Sequence, residues 1–133
     1  DESQVGLIRT ILGIDEEQGS LILAGEVDPN GFLRLMHASS DSLVDGAEEA
    51  ARLTLSHVPQ DLGNVLALLV SCVGRKLVMG DQVEDEVDAV VDIMGAQCTP
   101  TGFYSYGEIA PFSTTTDCKL HNQTMTVTLI GES

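Results

Sequence analysis

Apolar positions along the chain fall into blocks whose period changes from strand-like to helical and back. Val5 to Ile14 and Leu21 to Val27 are dense enough in apolar residues for two strands, joined by the turn Asp15-Glu16-Glu17-Gln18-Gly19-Ser20. The tight-turn sequence Asp28-Pro29-Asn30-Gly31 follows, and Phe32 to Met36 reads as a third strand of an opening antiparallel meander. The period then becomes helical. Leu43, Ala47, Ala50, Ala51, Leu55 and Val58 recur at helix spacing between a cap at Ser40 or Asp41 and a stop at Pro59. Val65-Leu66-Ala67-Leu68-Leu69-Val70 is apolar at every position, the pattern of a central strand covered on both faces, and Gly74-Arg75-Lys76 ends it.

A second helix is marked by an Asp81/Glu84 capping box, an apolar stripe of Val83, Val87, Val90, Val91 and Met94, and a stop at Gly95. Its other face, with Asp85, Glu86, Asp88 and Asp92, reads as solvated. Next comes the aromatic segment Gly102-Phe103-Tyr104-Ser105-Tyr106-Gly107-Glu108-Ile109-Ala110-Pro111, read as a strand whose glycines give its ends backbone freedom. From Thr124 to Ile130, Met125, Val127 and Leu129 alternate with Thr126 and Thr128, as in a half-buried strand. The order β-β-β-α-β-α-β-β predicts an α+β fold, a mixed, largely antiparallel sheet with two helices packed on it, as a single domain over residues 1–133.

Composition narrows the function. Apolar residues make up 43% of 133 residues, enough for a core that needs neither metal nor disulfide. No apolar run approaches the roughly 18 residues of a membrane span, so membrane insertion is not expected. Twenty-one acidic residues against six basic ones give a net charge of −15, which repels nucleic acid and anionic headgroups. The acidic start Asp1-Glu2-Ser3 shows no signal-peptide pattern, and Cys72, Cys98 and Cys118 have no disulfide-scaffold spacing. A cytoplasmic protein is the expectation.

Several residues are candidates for chemistry. Arg75, at a strand end beside Gly74, suits a ligand carboxylate or an ion pair with one of the many acids. Glu108, isolated between Asp92 and Asp117, suits an ammonium group; with Arg75 it would offer the opposite charges an α-amino acid needs, or simply a buried salt bridge. Tyr104 and Tyr106, two apart, share one face of a strand and suit a pocket floor or a core position with wet tips. Cys118 and His121 have the spacing of half a metal site, but no second pair accompanies them. A Cys-His nucleophile oriented by Glu108 is a further alternative, and His121-Asn122 also suits a turn into the last strand. No nucleotide-binding glycine loop or calcium loop is present, and no cofactor is implied.

Three motifs together carry a resemblance. Val70-Ser71-Cys72-Val73-Gly74-Arg75, the Gly102–Pro111 segment, and Cys118 with Leu120-His121-Asn122-Gln123-Thr124-Met125-Thr126 closely resemble the C-terminal half of the FIST domain family. The strongest part runs from Val65 to Thr128, and the opening meander is similar too. The resemblance implies an intracellular, non-enzymatic sensory domain of signal transduction proteins that binds a small ligand, an amino acid or related small carboxylate. It singles out Cys72, Arg75, Tyr104, Tyr106, Glu108, His121 and Asn122 as ligand-site candidates. It also implies three partners: that small ligand, the family's N-terminal half or a second copy of the domain, and a signalling output domain. A non-catalytic protein-interaction module and a thiol- or metal-dependent enzyme are the alternatives.

Overall fold

The computed structural model describes residues 7–58, 63–111 and 117–131. Three short sheets and two principal helices build it. The opening hairpin pairs β1 (Ile11–Asp15) with β2 (Ser20–Leu23), turning at Gly19 with φ +60°. Arg9 ties this hairpin to the rest of the chain, its Nε donating to Glu26 O at 2.8 Å and its Nη1 to Leu120 O at 2.9 Å.

The expected third strand does not form. Residues 32–39 have no regular structure, and Phe32, Leu33, Leu35 and Met36 are largely exposed. A strand exists only beside another that takes its hydrogen bonds, and none of the described residues offers a neighbour here.

Helix α1 (Ser40–Ser56) is capped one residue earlier than expected, by Ser39, whose Oγ accepts from Ser42 N while Ser42 Oγ accepts from Ser39 N. The expected stop, Pro59, lies outside the described residues. Strand β3 (Val65–Cys72) is central in a sheet of order β4-β3-β7, parallel to β4 (Cys98–Ser105) and antiparallel to β7 (Met125–Gly131). Instead of ending at Gly74-Arg75-Lys76, the chain passes directly from β3 into a short helix, α2 (Val73–Met79). A 3₁₀ turn over Gly80–Gln82 leads to α3 (Val83–Met94), so the expected Asp81 cap is replaced by Gln82, which makes no side-chain cap bond. Gly95 ends α3 at φ +79°.

Helices α1 and α3 cover one face of the central sheet. Ala47 and Ala51 of α1, Val90 of α3 and Leu69 of β3 form the core, with Ile93, Met94, Met125 and Val127 packed around it. The two alanines let α1 come close to the sheet, and Thr54 Oγ1 reaches Val127 O at 3.1 Å. Side chains alternate across β3: Ala67, Leu69 and Ser71 are buried beneath the helices, while Leu66 stays 38% exposed on the other face. Its partner in register on β7, Ile130, and Phe103, opposite Val70 on β4, are 54% and 60% exposed. The uniform apolarity of β3 predicts cover on both faces; among the described residues the second face is closed only at its C-terminal end, where Cys72 is buried, and stays open over Leu66.

The aromatic segment is two strands rather than one. β4 ends at Ser105, and β5 (Glu108–Pro111) leaves in a new direction to pair with β6 (Cys118–His121). The break falls at Tyr106-Gly107, where Gly107 adopts φ +157° and a Cβ would stand 2.9 Å from Leu120 Cδ1 and 3.1 Å from Asn122 Nδ2. Only glycine meets both conditions comfortably.

Candidate functional site

The chemistry-bearing residues gather in two groups around the C-terminal end of β3, separated by the alternation of the strands. Ser71 and Tyr104, in register across β3 and β4, share the helix-covered face. The first group centres on Glu86 of α3, which is fully buried. Its Oε1 accepts from Ser71 Oγ at 2.9 Å and Tyr104 Oη at 3.1 Å, and its Oε2 accepts from Arg75 Nε at 2.9 Å. Arg75, 3% exposed, also donates through Nη2 to Leu43 O of α1 at 2.7 Å. One ion pair thus ties all three helices to the sheet. Burial pushes the Tyr104 hydroxyl up to about 12; the negative Glu86 and the hydrogen bond to it act the same way, and Arg75 offsets them in part. Lys76 lies over the Tyr104 ring, 5.0 Å from its centroid.

The second group lies where β5 and β6 meet the start of β7. Glu108, 5% exposed, accepts from Ser105 Oγ at 2.5 Å and from Thr124 Oγ1. Among the described residues no cation lies within ion-pairing distance of it. His121, its partner in register, is buried and makes a 3.1 Å ring-nitrogen contact with Ala110 O. Asn122 is completely buried; its Nδ2 donates to His121 O at 3.2 Å and more weakly to Tyr106 O at 3.5 Å, while its Oδ1 has no partner. Gln123 follows at φ +60°, a conformation costly for a residue with a Cβ, and its Oε1 is likewise buried without a partner. The unpartnered Thr10 Oγ1 and the Gln123 amide both approach Gly74, where a Cβ would meet them at 3.3 and 3.1 Å. The Cys72 N–H donates to Thr124 O at 3.0 Å, joining this group to β3.

The seven sequence candidates therefore divide. Arg75 and Tyr104 belong to the first group; Cys72, Glu108, His121 and Asn122 belong to the second. Tyr106 does not share a face with Tyr104, because the strand ends between them, and its side chain is 88% exposed. Arg75 and Glu108 do not pair: the partner of Arg75 is Glu86. Reading Glu86 as part of a solvated face is thus corrected. The signal was present, since Glu86 stands three residues after Val83 and four before Val90, on the apolar stripe itself. Ser105 and Thr124, which hold Glu108, carried no signal beyond their place in the motifs. No group of three or more His, Cys, Asp or Glu side chains is placed to hold a metal ion among the described residues.

Comparison with known proteins adds one finding. The FIST C domain matches residues 3–111, most of the chain, including Cys72, Arg75, Tyr104, Tyr106 and Glu108 and ending before His121 and Asn122. No curated protein and no solved structure matches. The chain belongs to the FIST C domain family, a family of sensory domains of signalling proteins.

Proposed function

We infer that this domain is a signal-input module that binds an amino acid or a related small carboxylate bearing an amine, with the amine anchored at Glu108. One observation carries the reading: among the described residues, Glu108 is a buried carboxylate held by two hydroxyls and no cation, in the same group as the unpartnered carboxamide oxygen of Asn122. Buried acceptors left without donors are costly, so a ligand supplying N–H groups at this point would be strongly favoured. Arg75 serves this site as a brace rather than a contact, since Glu86 and the Leu43 carbonyl occupy it. Arg9, whose Nε and Nη1 are bonded to the Glu26, Ile8 and Leu120 carbonyls, would meet the ligand carboxylate through its Nη2.

Isothermal titration with an amino acid and with its deaminated acid tests this. Binding that requires the amine and disappears in Glu108→Gln supports the anchor; equal binding of the deaminated acid would refute it. The reading is of a non-catalytic domain. Free thiols at Cys72, Cys98 and Cys118 fit a reducing, cytoplasmic setting.

A second reading, a protein-interaction module, draws on the uncovered face of the sheet with Leu66, Phe103 and Ile130. The two readings are compatible. An N-terminal FIST half, or a second copy, seated on that face would carry the ligand signal to an output domain.

A further inference from the structure

A cavity of about 240 Å³ lies between α3 and the β3–β4 pair, on the opposite side of β3 from Glu108. Leu69, Val87, Pro100 and Met125 make its apolar wall, and Glu86 and Tyr104 close one side. Its size has a specific consequence. An enclosed apolar cavity of about 150 Å³ takes up benzene; this space is larger but half open at the β4 edge, so it can seat an aromatic ring with its substituent toward solvent.

Charge selects among ligands. An anion would face the carboxylate of Glu86, which lines the space. A cation would find that carboxylate already neutralised by Arg75 at 2.9 Å and would lose its hydration without compensation. We propose that the α3–β4 cavity is a second binding site, for a small neutral molecule that is aromatic or branched and apolar. The site is independent of the Glu108 reading. Because Glu86 links the cavity to Arg75 and thereby to α1 and α2, an occupant of the cavity would touch the element that ties the three helices together.

Indole is a suitable probe, since the chain has no tryptophan and the fluorescence of the ligand can be excited selectively. Titrating the intact chain should give a saturable change in indole emission. Val87→Phe, which fills the space from the α3 side, should weaken it at least tenfold while keeping a cooperative thermal melt. If Val87→Phe fails to fold, Pro100→Phe fills the cavity from the edge strand and is read the same way. Glu108→Gln should bind indole like the wild type. Absence of saturable binding, unchanged binding in a folded cavity-filled variant, or loss of binding in Glu108→Gln alone would overturn the proposal.

Discussion

Glu86 holds together Ser71, Arg75 and Tyr104, and its removal leaves the Arg75 guanidinium buried under α1 without its counter-ion, with the Leu43 carbonyl as its remaining acceptor. Glu86→Ala is therefore expected to destabilise the domain by about 3–5 kcal/mol, the usual cost of breaking a buried pair on one side. Replacing both partners, as Arg75→Met with Glu86→Leu, should recover much of that loss; a chemical denaturation series measures both. Tyr104 supplies a pH test. Its hydroxyl titrates near 12 in the folded state against about 10 in the unfolded chain. Between those values the unfolded state has lost its proton and the folded state has not. The contribution of Tyr104 to stability is thus complete below pH 10 and falls away as pH rises toward 12. Melting temperatures of the wild type should fall more steeply across that window than those of Tyr104→Phe. The thiols give a simpler ordering. Exposed Cys118 should react first with a thiol reagent, Cys98, whose pKa burial raises, more slowly, and buried Cys72 last. Mass spectrometry of partially labelled protein would show the order.

At the scale of elements, the β4–β5 corner decides where the site residues stand. Gly102 lets β4 lie against β3, for a Cβ there would be 1.9 Å from Leu69 O. Gly102→Ala is thus expected to destabilise by several kcal/mol or prevent folding, measured by loss of the cooperative melt. Gly107→Ala should be milder, because part of its conflict is with the end of the Leu120 side chain. Much of this level was legible in the sequence: the continuous apolar run of β3, the stripe of α3 and the alternation in β7 each state their own period. What was not legible depends on partners distant in the chain. The apolar run at Phe32 to Met36 has the local pattern of a strand but, among the described residues, no strand beside it. The break at Tyr106-Gly107 depends on β6, more than ten residues later, so Tyr106 falls outside the strand that carries Tyr104. Glu86 was misread because its character was weighed alone, although its spacing placed it beneath the sheet. Arg75 and Glu108 stand out in the sequence, yet their partners, Glu86, Ser105 and Thr124, come from α3, β4 and the turn before β7.

Across the whole molecule, charge and apolar surface are segregated. Asp92 and Asp117 bound a stretch in which Glu108 is the sole acid, so β4 and β5 carry almost none of the −15 charge. The acids crowd instead onto the helical layer and the early loops, leaving the outer face of the central sheet neutral, with leucine, isoleucine, phenylalanine and threonine side chains. Such a face suits a neutral apolar partner surface better than a charged one. The two polar groups at the end of β3 lie on either side of that sheet, and β3 connects them through Ser71 and Cys72. A ligand at Glu108 would thus act on the strand that also carries the Glu86 network, which is a physical route from input to the rest of the fold.

The decisive measurement is a thermal-shift screen of the twenty amino acids and their deaminated acids against the wild type and Glu108→Gln in parallel. A ligand present at about a hundred times its dissociation constant adds about 2.7 kcal/mol, a rise of several degrees for a domain of this size. A rise confined to one class of amine-bearing compounds, and absent from a folded Glu108→Gln variant, is the expected result. A wild type that no compound stabilises, or a Glu108→Gln variant stabilised as much as the wild type, would contradict a ligand site at Glu108.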